Sequence, residues 1–581
     1  MKQQKADPEL SLSGALRYFL KGNLVFVTSG IIIYLIDTPS RVFPSLFQKV
    51  YTDNIITHKN PEWFVPLLTF YVLLFVFVLT VWVSLSVVRR TSYAGLVIDK
   101  ASKYLWSVMR LPMTLLSQFT PGELVARYTS ISKTVSNLDV SLSSLILFFI
   151  PVINCWLIAL FNWKLALLQI FSVLLLLYVM RKTSSLQKKL AMNLEITEAN
   201  LQNVTMTGMS NLETIKSLGD EQFFFTQWES TYAQAMNARI TTTSNSIFLS
   251  AVPQLVLQLT NAATICLGIW FILQGELTPG MLLASQGLIS ESIFPINKAI
   301  DSIMLLLRAN SSIKRIKEVT DSGDAVPDLR LPEGDDLPDV AKLTGEIELR
   351  DVTFGYDRSL PPILSHFSLK IRAGERIALV GPSGCGKSTV LSLVSGLYEP
   401  WEGEVLFDGK PRKAIDRMTF VNSVSVINQD VTLFEGTIAD NVKMWDESIE
   451  DFAMVLACND AQIHEEITER PGAYQGTVAE RGKNFSGGQR QRIEIATALA
   501  KEPTILLMDE GTSALDPKTE AQVMKHLYDM GITLIMIAHR LSTIEKCNRI
   551  IVLKDGRVAA DGNFEQLKAL GYFSNDKDQE Q

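Results

Sequence analysis

The sequence predicts an α-helical membrane domain of six spans fused to an α/β domain built on a phosphate loop. Three observations predict this class: long apolar runs crowded into the first half, a glycine-rich loop between an apolar strand and a helix, and alternating strand and helix patterns around that loop. With 581 residues the chain has length for several domains, and its composition is split rather than uniform. The expected boundaries are an N-terminal tail and surface helix over 1–22, the spans over 23–315, a linker over 316–345, the α/β domain over 346–575 and a tail over 576–581.

Leu10–Leu20 is amphipathic enough to lie along a membrane surface as an elbow helix, with a solvated tail as the alternative. The first span, Leu24–Val50, carries Asp37, Pro39, Arg41 and Pro44. The second is the clearest, because Phe64–Val88 has no charged residue in 25 positions, enough to cross a hydrocarbon core of about 30 Å. Further runs lie at Leu142–Phe161, Leu165–Met180, Ile247–Leu273 and Leu282–Ala309, the last punctuated by Gln286, Glu291, Asn297, Lys298 and Asp301. Arg89, Arg90, Lys100, Lys103 and Arg110 follow the second span, and Arg181, Lys182, Lys188 and Lys189 follow the fourth, so both long loops and both termini are expected in the cytoplasm. The first twenty residues lack the apolar core and cleavage site of a signal peptide. Asp37 and Arg41, four apart, can pair on one helix face. Such intramembrane charges have two readings: a wet cavity that accepts a polar cargo, or pairs such as Asp37–Arg41 and Lys298–Asp301 that neutralise one another.

Net charge is −7 and no basic stripe occurs outside the membrane flanks, which argues against a nucleic-acid partner. The five cysteines are scattered without C-x-x-C spacing, so they frame neither a disulfide scaffold nor a metal site. The five histidines are equally dispersed.

In the second half, Gly381-Pro382-Ser383-Gly384-Cys385-Gly386-Lys387-Ser388-Thr389 fits the G-x-x-x-x-G-K-[ST] phosphate loop at every constrained position. The apolar run Arg376–Val380 before it reads as a buried strand and Ser388–Gly396 as a helix. Consecutive N–H groups and the positive end of the helix dipole would then face a polyphosphate. Lys387 would bridge the β- and γ-phosphates of ATP, and the Ser388 hydroxyl would hold Mg²⁺. Farther on, Ile505–Met508 is an apolar strand ending in Asp509, suited to Mg²⁺, and Glu510, suited to polarising an attacking water. Ser486-Gly487-Gly488 at a helix start makes a second anion nest. One phosphate loop and one spare nest on the same chain imply a sandwich of two chains.

Asn484-Phe485-Ser486-Gly487-Gly488-Gln489-Arg490-Gln491-Arg492 closely resembles the signature of the ATP-binding cassette (ABC) transporter superfamily, with Phe485 where Leu is more usual. The resemblance covers essentially the whole chain and implies the exporter-type ABC fold. It also implies roles: Tyr356 stacks on adenine, Gln429 senses Mg²⁺ and the membrane domain, His539 contacts the γ-phosphate, and Ser513–Asp516 forms the loop that crosses to the opposite site. Thr477–Gly482 resembles the exporter segment just before the signature. Gly511 replaces a more common Ala, which should loosen that turn, and Thr497 stands where Arg is frequent. Arg110–Arg127 and Gly208–Lys216 look like the coupling-helix regions of exporters.

One membrane region plus one cassette is half a transporter, so the resemblance implies a homodimer, or a heterodimer with a similar half, in a bacterial inner membrane. Within exporters the chain resembles those of bacteriocins and modified peptides, especially the type paired with nitrile-hydratase-like leaders. The words that carry this are Asp53–Ile56 with Pro61–Phe64, Arg110–Met113, Gly275–Met281 and Asn484–Arg492. No cysteine peptidase domain is expected ahead of the first span. The implied activity is ATP-driven export of a peptide by alternating access; the rivals are a lipid or multidrug exporter and a membrane ATPase that gates or senses without transporting.

Overall fold

The structure, a computed structural model, describes residues 14, 24–57, 60–147, 149–324, 341–429, 431–538 and 540–572. The expected elbow helix, apart from Gly14, lies outside the described residues, as do His539, most of the expected linker and the C-terminal tail. The chain divides into two compact units, one comprising Met1–Met109 with Thr120–Asp324 and the other Arg110–Phe119 with Ala325–Gln581.

The first unit is helical. Its long elements are Leu24–Val50, Phe64–Arg110, Pro121–Leu147 followed by Phe149–Phe161, Trp163–Ser210, Glu221–Leu273, and Pro279–Glu291 followed by Ile293–Asp324. Among the described residues, Val25–Thr57, Pro61–Arg110 and Gln254–Leu273 are long and apolar enough to cross a membrane, while Phe149–Phe161 and Trp163–Val179 are shorter apolar helices. The 47 residues of Phe64–Arg110 make a rod of about 70 Å, more than twice a hydrocarbon core. The excess carries the basic flank that the sequence places outside the membrane. The last helix continues to Asp324, past the expected boundary at 315, and Glu318 on that extension accepts a hydrogen bond from Arg127 at 2.9 Å.

Physical chemistry explains the break in that last element. Pro295 has no N–H to give the carbonyl of Glu291, and its ring crowds the preceding turn, so the helix interrupts at Ser292. Buried side chains clasp the break: Asn154 Nδ2 donates to Leu288 O at 2.9 Å and to Ser292 Oγ at 3.1 Å, and Gln169 Nε2 donates to Ser292 Oγ at 3.0 Å. Charges in the first span and beside the second meet partners, which offsets their desolvation. Arg89 Nε donates to Asp139 at 2.8 Å; Arg41 lies 2.8 Å from Asp37 and 3.6 Å from Glu291, so the pair expected from sequence is a triad joining the first and last helices. Two segments 225 residues apart meet at Asp53, whose carboxylate accepts from Thr278 Oγ1 at 2.7 Å and from the Gly280 N–H at 2.9 Å.

The second unit carries the expected α/β fold. Strands β1 (Ile347–Phe354), β2 (Leu364–Ile371), β4 (Glu402–Phe407) and β5 (Lys410–Pro411) form an antiparallel sheet ordered β2-β1-β4-β5. A six-stranded sheet is ordered β12-β11-β3-β10-β9-β6, from β3 (Arg376–Val380), β6 (Val424–Ile427), β9 (Ile505–Asp509), β10 (Thr533–Ile537), β11 (Arg549–Lys554) and β12 (Arg557–Gly562). All its pairings are parallel except that of the edge strand β12. The short pair β7 (Gly436–Thr437) and β8 (Thr477–Val478) stands apart. The inner strands are apolar on both faces because both are covered. Ile377, Leu379, Leu507 and Ile535 enter one core, while Ala378, Leu506, Met508, Leu534 and Met536 enter the other.

Asp53→Ala removes the acceptor from the start of helix Pro279–Glu291 and is expected to lower stability by about 1 kcal/mol, with Asp53→Asn losing less. Thermal unfolding of the purified protein checks this; equal stability of Asp53→Ala and wild type would refute it.

Candidate functional site

A parallel sheet brings the carboxyl ends of its strands to one edge, and the sequence motifs lie there. The phosphate loop leaves β3 and enters the helix Lys387–Val394; Asp509 closes β9, in register with Ile537 of β10; Gln429 follows β6. Gly386 has φ 105, and a Cβ there would lie 2.8 Å from Leu364 Cδ2, so this turn needs both the glycine's freedom and its lack of bulk. Lys387 and Thr389 are buried, Cys385 packs beneath the loop, and Lys387 Nζ donates to the carbonyls of Gly381 at 2.8 Å and Pro382 at 3.0 Å. The ammonium is thus directed back over the turn, whose Pro382, Ser383, Gly384 and Ser388 are exposed. Tyr356 presents a ring 52% exposed, edge-on to Phe354 and Tyr398, with its hydroxyl 3.4 Å from Thr389 Oγ1. It is a platform beside the loop helix, of the kind a flat base can cover.

Gln429 and Glu510 meet directly: Gln429 Nε2 donates to Glu510 Oε2 at 3.2 Å. Glu510 has φ 52, a left-handed backbone that side chains other than glycine seldom adopt, at the point where the chain leaves β9. Oxygen donors from Ser388, Gln429 and Asp509 are the hard ligands that suit Mg²⁺ alongside phosphate oxygens. No cluster of three His, Cys, Asp or Glu side chains able to hold a metal by themselves occurs among the described residues.

The signature starts the helix Gly487–Leu499. Ser486 is its N-cap: Ser486 Oγ accepts from Gln489 N at 3.2 Å while Gln489 Oε1 accepts from Ser486 N at 3.0 Å. Phe485 is buried, whereas Ser486 and Gly487 are exposed and Gly488 and Gln489 half-buried. Asp516 caps the next helix, Pro517–Asp529, by accepting from Thr519 N at 3.0 Å, and that backbone N–H holds its carboxyl below the usual range.

Sequence reading missed three side chains that tie these parts together. Buried Gln491 donates to Glu510 O at 3.2 Å and accepts from Ala514 N at 2.9 Å, pinning the turn after β9 to the signature helix. Gly511 in that turn faces Ile427, whose Cγ2 would lie 2.7 Å from an added Cβ, so the turn is closely packed. Buried Glu520 accepts from Thr512 and Thr543, both at 2.9 Å, and pairs with Arg540, the residue after His539. Glu494 accepts from the Asn428 N–H at 3.0 Å beside Gln429, and burial pushes its carboxyl upward. Its place one turn past Arg490 in an amphipathic helix gave no signal; Glu520 could have been found as an acid on the apolar face of its helix. Thr497 fills the place of the expected Arg by donating to Asn441 O at 3.2 Å.

The profile "ABC transporter transmembrane region" matches residues 27–295 and the profile "ABC transporter" matches 364–513. The ATP-dependent lipid A-core flippase of Saccharophagus degradans is 31% identical over 417 residues, 71% of this chain and 69% of that protein.

This chain belongs to the ABC transporter family.

It is an integral membrane member of a family of ATP-hydrolysing exporters. The alpha-hemolysin translocation ATP-binding protein HlyB of Proteus vulgaris is 27% identical over 569 residues, 94% of this chain and 77% of that protein. Some relatives are longer: ABC transporter B family member 1 of Dictyostelium discoideum is 32% identical over 476 residues, 79% of this chain, which spans only 51% of it. A solved structure titled as a bacterial Atm1-family ABC exporter with ATP bound superposes with TM-score 0.74 at 24% identity, covering 96% of this chain and 97% of that one, and so shares the fold.

Two outcomes follow for the cassette. Glu520→Ala strands Arg540 and two threonines and is expected to destabilise it by roughly 2 kcal/mol, read by denaturant unfolding; a loss within error would contradict the clamp. Because Glu494 has a folded-state pKa above its unfolded one, its protonated form contributes stability that is present at low pH and lost as pH rises through the raised value. Glu494→Gln should therefore flatten the fall in unfolding temperature with rising pH, and an unaltered pH profile would count against it.

Proposed function

We propose that the chain is one half of an ATP-driven exporter working by alternating access. It pairs with a second copy or a similar half, with both termini and the cassette on the cytoplasmic side of a bacterial inner membrane. The observation that carries this is the presence, on one chain, of two anion-binding turns at the starts of different helices, the phosphate loop before Lys387–Val394 and the capped signature before Gly487–Leu499. Each turn of one chain faces the complementary turn of its partner, so that ATP is held between them.

In this reading Tyr356 stacks on adenine, and the N–H groups from Gly381 to Thr389 with Lys387 hold the phosphates. Phe485–Gln489 and Asp516 of the opposite chain close over the γ-phosphate, which His539 also contacts. Ser388, Gln429 and Asp509 hold Mg²⁺, which neutralises charge on the phosphate oxygens when bound. Glu510, oriented by Gln429, accepts the proton of the attacking water; the water oxygen bonds to the γ-phosphorus as the bond to the bridging oxygen breaks, releasing ADP and phosphate. Closure of the cassettes opens the cavity outward, and hydrolysis resets it.

For cargo we favour a ribosomally made peptide of the bacteriocin kind. Its support is the set of sequence words shared with such exporters and the Asp37–Arg41–Glu291 triad, a polar feature suited to a hydrated pathway. The similarity to a lipid A-core flippase favours lipid cargo as the second reading. ATPase activity in liposomes with a leader-bearing peptide, a leaderless peptide or a lipophilic dye discriminates them. Stimulation by peptide is expected, whereas stimulation by dye or lipid alone would overturn the peptide assignment. Glu510→Gln should bind ATP while turnover falls by about 10²-fold or more. Rapid hydrolysis by that variant would remove Glu510 from its proposed role.

A further inference from the structure

The lip of the signature turn is held by a side chain that no motif singles out. Arg470, half-buried, places its guanidinium carbon 3.9 Å from the centroid of the Phe485 ring. Its Nη2 donates to Gln489 Oε1 at 3.1 Å, and Nη1 and Nη2 both reach Asn484 O at 3.4 Å. One planar fork therefore touches the backbone before the signature, the ring that replaces the usual leucine, and the amide three residues into the helix.

The contacts fix the Gln489 amide in one orientation. Its Oε1 has two donors, Arg470 Nη2 and the Ser486 N–H, while its Nε2 donates to Glu466 Oε2 at 2.7 Å. Glu466 is a carboxylate here: although burial opposes it, hydrogen bonds from Arg492 and Gln489 hold its pKa below the usual range. With Gln489 fixed, the cap at Ser486 is fixed, and the N–H groups of Gly487 and Gly488 in the first helical turn are the donors turned toward an incoming phosphate. A leucine at 485 would offer the guanidinium no π face, so the departure at Phe485 and the presence of Arg470 are two halves of one contact.

We infer that Arg470 is a positioning residue for the anion nest, acting through Phe485 and Gln489 to preset the signature turn for the γ-phosphate of the partner's ATP. The inference rests on the two-chain reading of the preceding subsection. It requires that Arg470 affect closure of the cassettes over ATP and leave the phosphate loop's own affinity unchanged.

The test uses the full-length chain carrying Glu510→Gln, spin-labelled on its cassettes, with ATP-driven closure read as a distance change and ADP affinity measured separately. Arg470→Gln is expected to raise the ATP concentration for half-maximal closure about tenfold, the scale of one charge-assisted contact at a partly desolvated site. ADP affinity, which reports the phosphate loop without closure, should stay within about twofold. Phe485→Leu should produce a similar shift, the double variant no more than either single one, and Arg470→Lys, which keeps charge over the ring but loses the fork, an intermediate shift. Unchanged closure in Arg470→Gln, multiplying effects in the double variant, or an equal loss of ADP affinity would each overturn the inference. Failure of the Glu510→Gln parent itself to close would overturn the two-chain reading and this inference with it.

Discussion

A polyphosphate is held by backbone N–H groups only if the turn that presents them is kept open before the ligand arrives. That constraint organises the cassette. The loop at Gly381–Thr389 stays open because β3 is buried on both faces, Leu364 fills the space a side chain at Gly386 would take, and Lys387 is bonded to the loop's own carbonyls. The signature turn meets the same constraint differently, through a reciprocal cap between Ser486 and Gln489 braced by Arg470 and Glu466. One nest is set by the sheet, the other by a side-chain network.

The parts of the site are joined by polar side chains that bond from one segment to the next. Gln491 links the signature helix to the turn after β9, Gln429 reaches Glu510, and Glu520 links that turn to the segment around Arg540. Gln491 and Glu520 are buried and partnered, so a shift in one segment strains the next instead of dissipating in solvent. In the membrane unit the same economy holds, since Arg41 and Arg89 face carboxylates and the proline-broken helix is clasped by Asn154 and Gln169.

Much of this was legible in the sequence. The phosphate loop, the acids after Ile505–Met508 and the signature announce themselves because backbone geometry demands particular residues at fixed spacing. The clear second span was legible for the same reason, as Phe64–Val88 must satisfy a solvent with no tolerance for charge. The rest depended on tertiary contacts between distant positions. Asp37 and Arg41 showed their pairing by spacing, but Glu291 joins them from 250 residues away. Arg470 and Glu466 belong to no motif, and only the folded chain puts them against Gln489. Gly511 was expected to loosen its turn, yet Ile427 and Gln491 pack and pin it. Cargo is the least legible feature, since the relatives include both a lipid flippase and a hemolysin translocator.

The central claim is that each nucleotide site is built from the phosphate loop of one chain and the signature of another. A mixture of Lys387→Ala, which spoils the loop, with Ser486→Arg, which spoils the nest, tests it most directly, because a mixed pair contains one composite site with both halves intact. The account predicts ATP hydrolysis in the mixture and in neither variant alone. Silence at every mixing ratio would contradict it and place the site within a single chain.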